Sequence, residues 1–229
     1  MRNISLAPGV MNFLSLVGMA GLLGLAACSS GNGNGAQGLP YYGPKEAVEQ
    51  ADGSIDSLYH TVPPFAFTDQ SGGEFSHRDL HGRVRIVDCF FTHCPTICPA
   101  ISSQLSRIND EVAAQGWERE VVIISHTVDP RRDKPERLRD YADRLGVTGD
   151  EWVFLTGKRS DLYEHLQEGY FLTALASDTA EGGFFHSDQV LLVDRSSHIR
   201  GVYDGTSTDE MDALLSDLEW LLNQDVTKR

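Results

Sequence analysis

The stretch Phe91-Thr92-His93-Cys94-Pro95-Thr96-Ile97-Cys98-Pro99 constrains this chain more than any other. An apolar run, Ile86 to Phe91, precedes it and predicts a buried strand. Apolar residues at helical spacing follow it: Ile101, Leu105, Ile108 and Val112. A strand that runs straight into a helix opens a β-α-β unit, and here the junction carries two thiols.

The rest of the chain repeats that alternation. Val121-Val122-Ile123-Ile124 predicts a short strand covered on both faces. Asp133 stands three residues before Glu136, a helix-start signature, and Leu138, Tyr141, Ala142 and Leu145 keep the helical period until Gly146. Trp152 to Leu155 reads as a third strand and Ser160 to Glu168 as a shorter helix closed by Gly169. Tyr170 to Phe185 shows no clear period. Val190 to Val193 and Ile199 to Tyr203 bracket a hairpin turn, and Ser207 with Glu210 opens a last helix bearing Met211, Leu214, Leu215, Leu218 and Leu222. Earlier, Phe65 to Thr68 followed by Gly72-Gly73 predicts an N-terminal hairpin. The order implies an α/β, thioredoxin-like fold: a central mixed, mostly parallel sheet with helices on both faces.

The N-terminus reads as a processing segment. Phe13 to Ala27 is apolar but short and glycine-rich, and Leu25-Ala26-Ala27-Cys28 ends it with small residues before a cysteine. That end resembles the lipobox of bacterial lipoproteins, in which the cysteine is lipidated. Residues 1–27 are therefore expected to be a lipoprotein signal peptide. Residues 28–61 are expected to form a flexible tether and an irregular N-terminal segment, and residues 62–229 a single folded domain. A domain tethered outside the cytoplasm has its cysteines in a compartment that permits disulfides. The formal net charge of −14 repels phosphate backbones, which argues against nucleic acid as a partner.

Residues four apart on a helical turn lie about 5–6 Å apart at Cβ. That spacing suits two thiolates on one soft metal ion, and equally a disulfide, whose Cα atoms sit about 4.4–6.8 Å apart. Pro99 cannot donate a backbone hydrogen bond, so the pair is expected to straddle the helix entry, where free N–H groups and the helix dipole favour thiolate. Two thiolates hold a metal loosely, so a third ligand is wanted. His60, His77, His81 and His165 fall in polar segments and are expected at the surface; His198 sits in a turn and His126 at a strand end. His93 adjoins Cys94, but neighbours in extended chain point to opposite sides, so it is expected to tune the thiol rather than ligate. His186 ends the long unpatterned segment just before the strand at Val190, and in a thioredoxin-like sheet the turn entering that strand lies over the cysteine pair.

Together these residues carry a resemblance. Phe91-Thr92-His93-Cys94-Pro95-x-x-Cys98-Pro99, Asp129-Pro130-x-x-Asp133-x-Pro135-Glu136, His186-Ser187 before Leu192-Val193-Asp194, and Arg200-Gly201-x-Tyr203-Asp204-Gly205 resemble the Sco/SenC family. These are membrane-tethered, thioredoxin-like copper proteins that take part in assembling the dinuclear copper centre of cytochrome c oxidase. The resemblance, over about residues 62–222, implies copper bound by Cys94, Cys98 and His186. It also implies a partner in the copper-centre subunit of the oxidase or another copper protein, while the lipobox-like end implies a membrane anchor through lipidated Cys28. Thr96 departs from a position often acidic in the family, and Asp88 from one usually apolar. Ligand chemistry agrees: thiolates select Cu(I), imidazole suits copper, and a Cys₂His set leaves a position open, whereas structural zinc wants four ligands.

A second reading is an extracytoplasmic thiol-disulfide oxidoreductase, in which the pair cycles between dithiol and disulfide to reduce a partner's cysteines. Asp88 resembles the proton-handling aspartate of thioredoxins, though a carboxylate there serves as well to hold a polar neighbour. Against this reading, three residues separate the cysteines instead of two, and no proline follows Pro135. A peroxiredoxin is disfavoured because Phe91 stands where that family has threonine. Asp133 reads most simply as an N-cap, Asp129-Pro130 as a turn, and Cys89 as a small core residue.

Overall fold

Between Leu39 and Tyr59 the apolar pattern is weak, yet the chain pairs there. The computed structural model describes residues 38–80 and 82–226; the signal segment, Cys28 and the tether as far as residue 37 lie outside them. Lys45–Glu49 (β1) and Ile55–Tyr59 (β2) form an antiparallel hairpin where an irregular segment was expected. Turn chemistry specifies it: Gly53 N–H bonds the Gln50 carbonyl at 2.9 Å and the Asp52 carboxylate takes the Ser54 N–H at 2.9 Å. Almost every side chain of the hairpin is exposed, so no hydrophobic period announces it. The packed structure also starts before residue 62. Leu39 is buried, and Arg200 donates to the carbonyls of Leu39 at 2.5 Å and Pro40 at 2.9 Å while lying 4.0 Å from the Tyr41 ring centroid.

Ala66–Thr68 (β3) and Glu74–Ser76 (β4) make the hairpin expected around Gly72-Gly73. Val84–Phe90 (β5), buried throughout, leads through the cysteine turn into Cys98–Gln115 (α1), which stops at Gly116 with φ 74°. Val121–Thr127 (β6), Pro135–Arg144 (α2) and Trp152–Leu155 (β7) complete two parallel crossovers. Arg159–Glu164 (α3) continues into a π turn over His165–Gly169. The unpatterned segment closes into a small hairpin of Ala174–Ala176 (β8) and Phe184–His186 (β9). Gln189–Val193 (β10), Ile199–Asp204 (β11) and Thr208–Val226 (α4) follow.

The main sheet has the order β11-β10-β5-β6-β7, with β5, β6 and β7 parallel and β10 antiparallel to both its neighbours. Its register sets Asp88 beside Ser125 and Cys89 beside His126, so consecutive residues of β5 face opposite layers. On one layer α1, α2 and α4 meet: Ser102 bonds the Tyr141 hydroxyl at 2.8 Å, and Arg107 pairs with Asp212 at 2.7 Å. On the other, the helical turn carrying His165 packs its ring 4.9 Å from Phe65 and 5.5 Å from Phe67. The chain thus adopts the thioredoxin-like layering its sequence predicts.

One helix start differs from expectation. Lys134 precedes α2, Pro135 opens it with its fixed φ, and no side chain caps it. Asp133 is not the N-cap; its carboxylate turns inward and is fully buried.

Candidate metal centre

Both ligand-bearing segments emerge beyond the carboxyl end of β5. The Cys94 amide donates to the Phe91 carbonyl at 3.1 Å, which folds the strand exit into a tight turn. Helix α1 has no side-chain N-cap; instead the Cys94 sulfur accepts the Cys98 N–H at 3.5 Å. A sulfur at this position faces unpaired N–H groups and the positive end of the helix dipole, both of which favour thiolate. Cys94, half-buried, is held down to about 3, chiefly by a hydrogen bond from the Cys98 thiol; burial opposes this, and His186 and backbone N–H groups assist it. Cys98, buried, is pushed up by its contact with the Cys94 sulfur and then by burial. At neutral pH the pair therefore shares one proton.

His186 ends β9 with its ring over both sulfurs. Nε2 lies 3.2 Å from the Cys98 sulfur and 3.9 Å from the Cys94 sulfur, while Nδ1 lies 2.8 Å from the Ser187 carbonyl oxygen. A carbonyl only accepts, so Nδ1 carries a proton and Nε2 is the nitrogen offered to a ligand. Burial works against charge on this ring, but contacts with the Cys89 and Cys94 sulfurs outweigh it and push His186 up to about 10. Without metal, the ring is an imidazolium beside a thiolate.

The ligand atoms of Cys94, Cys98 and His186 all lie within 4.8 Å of one another. Bonds of about 2.0–2.3 Å from one ion at tetrahedral angles would separate such atoms by about 3.5–3.8 Å, so small side-chain shifts close the set. Two soft thiolates and one imidazole suit copper and leave an open position. Cys94 and His186 also line a cavity of ≈ 240 Å³ walled by Phe91, Thr96, Ile97, Glu181, Phe184 and Phe185.

The other residues singled out in the sequence fall in distinct places. Cys89 is buried, as expected of a core residue, but its sulfur also lies 3.9 Å from His186 Nδ1 and 3.6 Å from the Ser187 carbonyl. Asp88, buried on the α1 layer, accepts a short hydrogen bond from the Ser125 hydroxyl, which in turn receives the Trp152 indole N–H at 2.9 Å. Burial pushes Asp88 up to about 6. His93 is exposed and lies 3.3 Å from the Arg137 guanidinium, while the side chains that lower the Cys94 thiol most are Cys98 and His186. His165 is buried, not on the surface, and packs with buried His126 at 5.6 Å between ring centroids. Asp129 accepts from Arg132 and Asp133 from Thr92, contacts that sequence spacing did not reveal.

A thioredoxin-like domain that brings two thiols and an imidazole to one open point defines a class of metal-binding proteins. The SCO1/SenC family model matches residues 54–223. The chain belongs to that family. A protein of Stutzerimonas stutzeri whose assigned name proposes copper binding is 31% identical over 159 residues, 67% of this chain and 74% of its own. The structure of a SCO1/SenC family lipoprotein from Bacillus anthracis str. Ames superposes with a TM-score of 0.65 at 26% identity, covering 71% of this chain and 95% of that one. BsSco, a member of the Sco family of cytochrome c oxidase assembly proteins in which a disulfide switch was identified, superposes at 0.60 with 30% identity, covering 70% and 92%. Among the described residues, no helix is long and apolar enough to cross a membrane.

Proposed function

We propose that this chain binds copper through Cys94, Cys98 and His186 and delivers it to, or assists metallation of, the dinuclear copper centre of cytochrome c oxidase. The observation that carries this reading is His186: its Nδ1 is tied to the Ser187 carbonyl while its Nε2 faces both sulfurs. The naming of the Stutzerimonas relative and the assembly role of the family of BsSco support copper and the oxidase as its context. Lipidation at Cys28, with the domain held outside the cytoplasm, is supported by the Leu-Ala-Ala-Cys sequence and by the lipoprotein from Bacillus anthracis. The open coordination position lets an acceptor's ligand bind before the donor's bonds break, which is how an ion passes between proteins without entering solvent.

The test mixes Cu(I)-loaded protein with the copper-free soluble domain of an oxidase copper subunit. Copper is expected to move to the acceptor and to stay on the donor when the acceptor's copper ligands are removed. Retention in both cases would refute delivery.

A second reading, thiol-disulfide exchange with a partner, is favoured by one observation: the half-buried Cys94 sulfur lies at the entry of α1, accepting the Cys98 N–H at 3.5 Å, with the Cys98 sulfur buried behind it. Cys94 would attack a partner disulfide, and the Cys98 thiolate, after losing its proton, would release the reduced partner and leave the Cys94–Cys98 disulfide. Brisk reduction of an oxidised acceptor by copper-free protein, together with weak copper binding, would select this reading.

A further inference from the structure

The cysteine pair and His186 lie on segments some ninety positions apart, so their spacing has to be imposed from outside. We propose that the loop of residues 129–133, between β6 and α2, is a two-ended clamp that sets the gap between the sulfurs and the imidazole. In it Asp133 positions the cysteine turn and Arg132 positions the hairpin that carries His186. The inference rests on the reading of Cys94, Cys98 and His186 as the metal site.

The first end is Asp133. Its carboxylate is fully buried and accepts the Thr92 N–H at 3.2 Å, the Thr92 hydroxyl at 2.5 Å and the Thr127 hydroxyl at 2.5 Å. A carboxylate so buried is tolerable only with such bonds made, and making them fixes Thr92, two residues before Cys94. Thr127, at the end of β6, anchors the same carboxylate to the rigid sheet. The second end is Arg132. Its guanidinium is held by Asp129, donates to the Gly182 carbonyl at 2.8 Å and lies 5.7 Å from the Phe184 ring centroid. Gly182 and Phe184 belong to the tip and second strand of the hairpin that ends in His186.

The loop between these ends is closed on itself. The Asp129 carbonyl accepts the N–H groups of Arg132 at 3.1 Å and Asp133 at 2.9 Å, and the Val128 carbonyl accepts the Tyr163 hydroxyl at 2.7 Å. The two arms also meet directly. A Cβ on Gly182 would lie 2.7 Å from the Phe91 ring and 3.3 Å from Pro95 Cδ, so the hairpin tip rests on the cysteine turn with no room to spare. Arg132 presses the tip down while Asp133 holds the turn up.

The test uses the full chain with Arg132→Met, Arg132→Lys and Asp133→Asn. Copper-free amide exchange comes first. Both Arg132 variants are expected to lose about tenfold or more of the protection of residues 174–186 while residues 84–90 keep theirs. Copper affinity is expected to fall about 10–100-fold in all three, with a shift of the thiolate-to-Cu(II) absorption band, as for other groups that hold metal ligands in place. Lysine keeps the charge but cannot reach Asp129 and the Gly182 carbonyl with one fork, so it should behave like methionine. Wild-type exchange and affinity in the Arg132 variants, or full recovery with lysine, would overturn the clamp. If the wild-type chain binds no copper, the site reading fails, and the exchange data still decide the clamp.

Discussion

Two groups of histidines in this domain differ in what their nitrogens face. His186, half-buried at the mouth of the cysteine turn, has one nitrogen tied to a carbonyl and the other aimed at two sulfurs. His126 and His165, buried on the opposite layer to Asp88, pack against Phe65, Phe67 and Tyr170. Nε2 of His165 has no hydrogen-bond partner among the described residues, and neither ring nitrogen of His126 makes a well-formed hydrogen bond there. Burial holds His126 well below its ordinary value, helped by His165, and brings His165 down to about 4, helped by Arg85. Both stay neutral, as ring-shaped core residues. Burial alone does not make a ligand; a fixed tautomer and soft neighbours do.

The contrast breaks first on the metal. Cys94→Ser or Cys98→Ser is expected to weaken Cu(I) binding by about a thousandfold or more, since a hydroxyl is a hard and poor Cu(I) ligand. His126→Phe and His165→Phe should leave it within about threefold. Competition titration against a chromophoric Cu(I) chelator reads both, and a large loss in the buried variants would erase the distinction.

Acid stability comes next. His165 is neutral in the fold but titrates near 6.5 when unfolded, so its contribution is complete above pH 6.5. It is lost as pH falls toward 4, about 3 kcal/mol in all. Urea unfolding at pH 7 and pH 4.5 should show a smaller drop for His165→Phe than for the wild type. An identical drop would contradict the assignment of His165 as a buried neutral ring.

Metal binding at neutral pH has the opposite proton balance at the other site. The cysteine pair holds one proton and His186 another that the ion must displace. About two protons should leave per ion, and apparent affinity should rise about a hundredfold per pH unit near neutrality. Calorimetry in buffers of different ionisation enthalpy measures the count; a value near zero would mean the imidazole and thiol are already free. Smallest is Gly182→Ala, expected to cost about 1–3 kcal/mol of stability. Its φ of 75° and the Phe91 ring 2.7 Å from a new Cβ both oppose a side chain. Thermal unfolding reads it, and an unchanged midpoint would show that the hairpin tip is free of the cysteine turn.

Much of this was legible in the sequence because the informative residues are dense. The apolar runs of the main sheet, the glycine stop at Gly116 and the cysteines flanked by Pro95 and Pro99 each carry their own physical signal. The missed features lack one. The β1–β2 hairpin is specified by a turn, not by burial, and β8 and β9 are three residues each, too short for a period. Asp133 imitates a capping box, but Pro135 takes over the helix start and frees the carboxylate to turn inward. His165 sits between polar neighbours in sequence, yet the turn shows Glu164, Gln167 and Glu168 to solvent and buries His165 with Leu166. His93 adjoins Cys94, but its ring goes to Arg137. Side-chain direction at a loop is a tertiary outcome.

The most direct measurement is X-ray absorption on the Cu(I)-loaded chain beside its His186→Ala variant. The wild type is expected to show two sulfurs near about 2.3 Å and one nitrogen near about 2.0 Å from the ion. In the variant the nitrogen shell should vanish and the affinity fall. An unchanged shell and affinity without His186 would contradict the account.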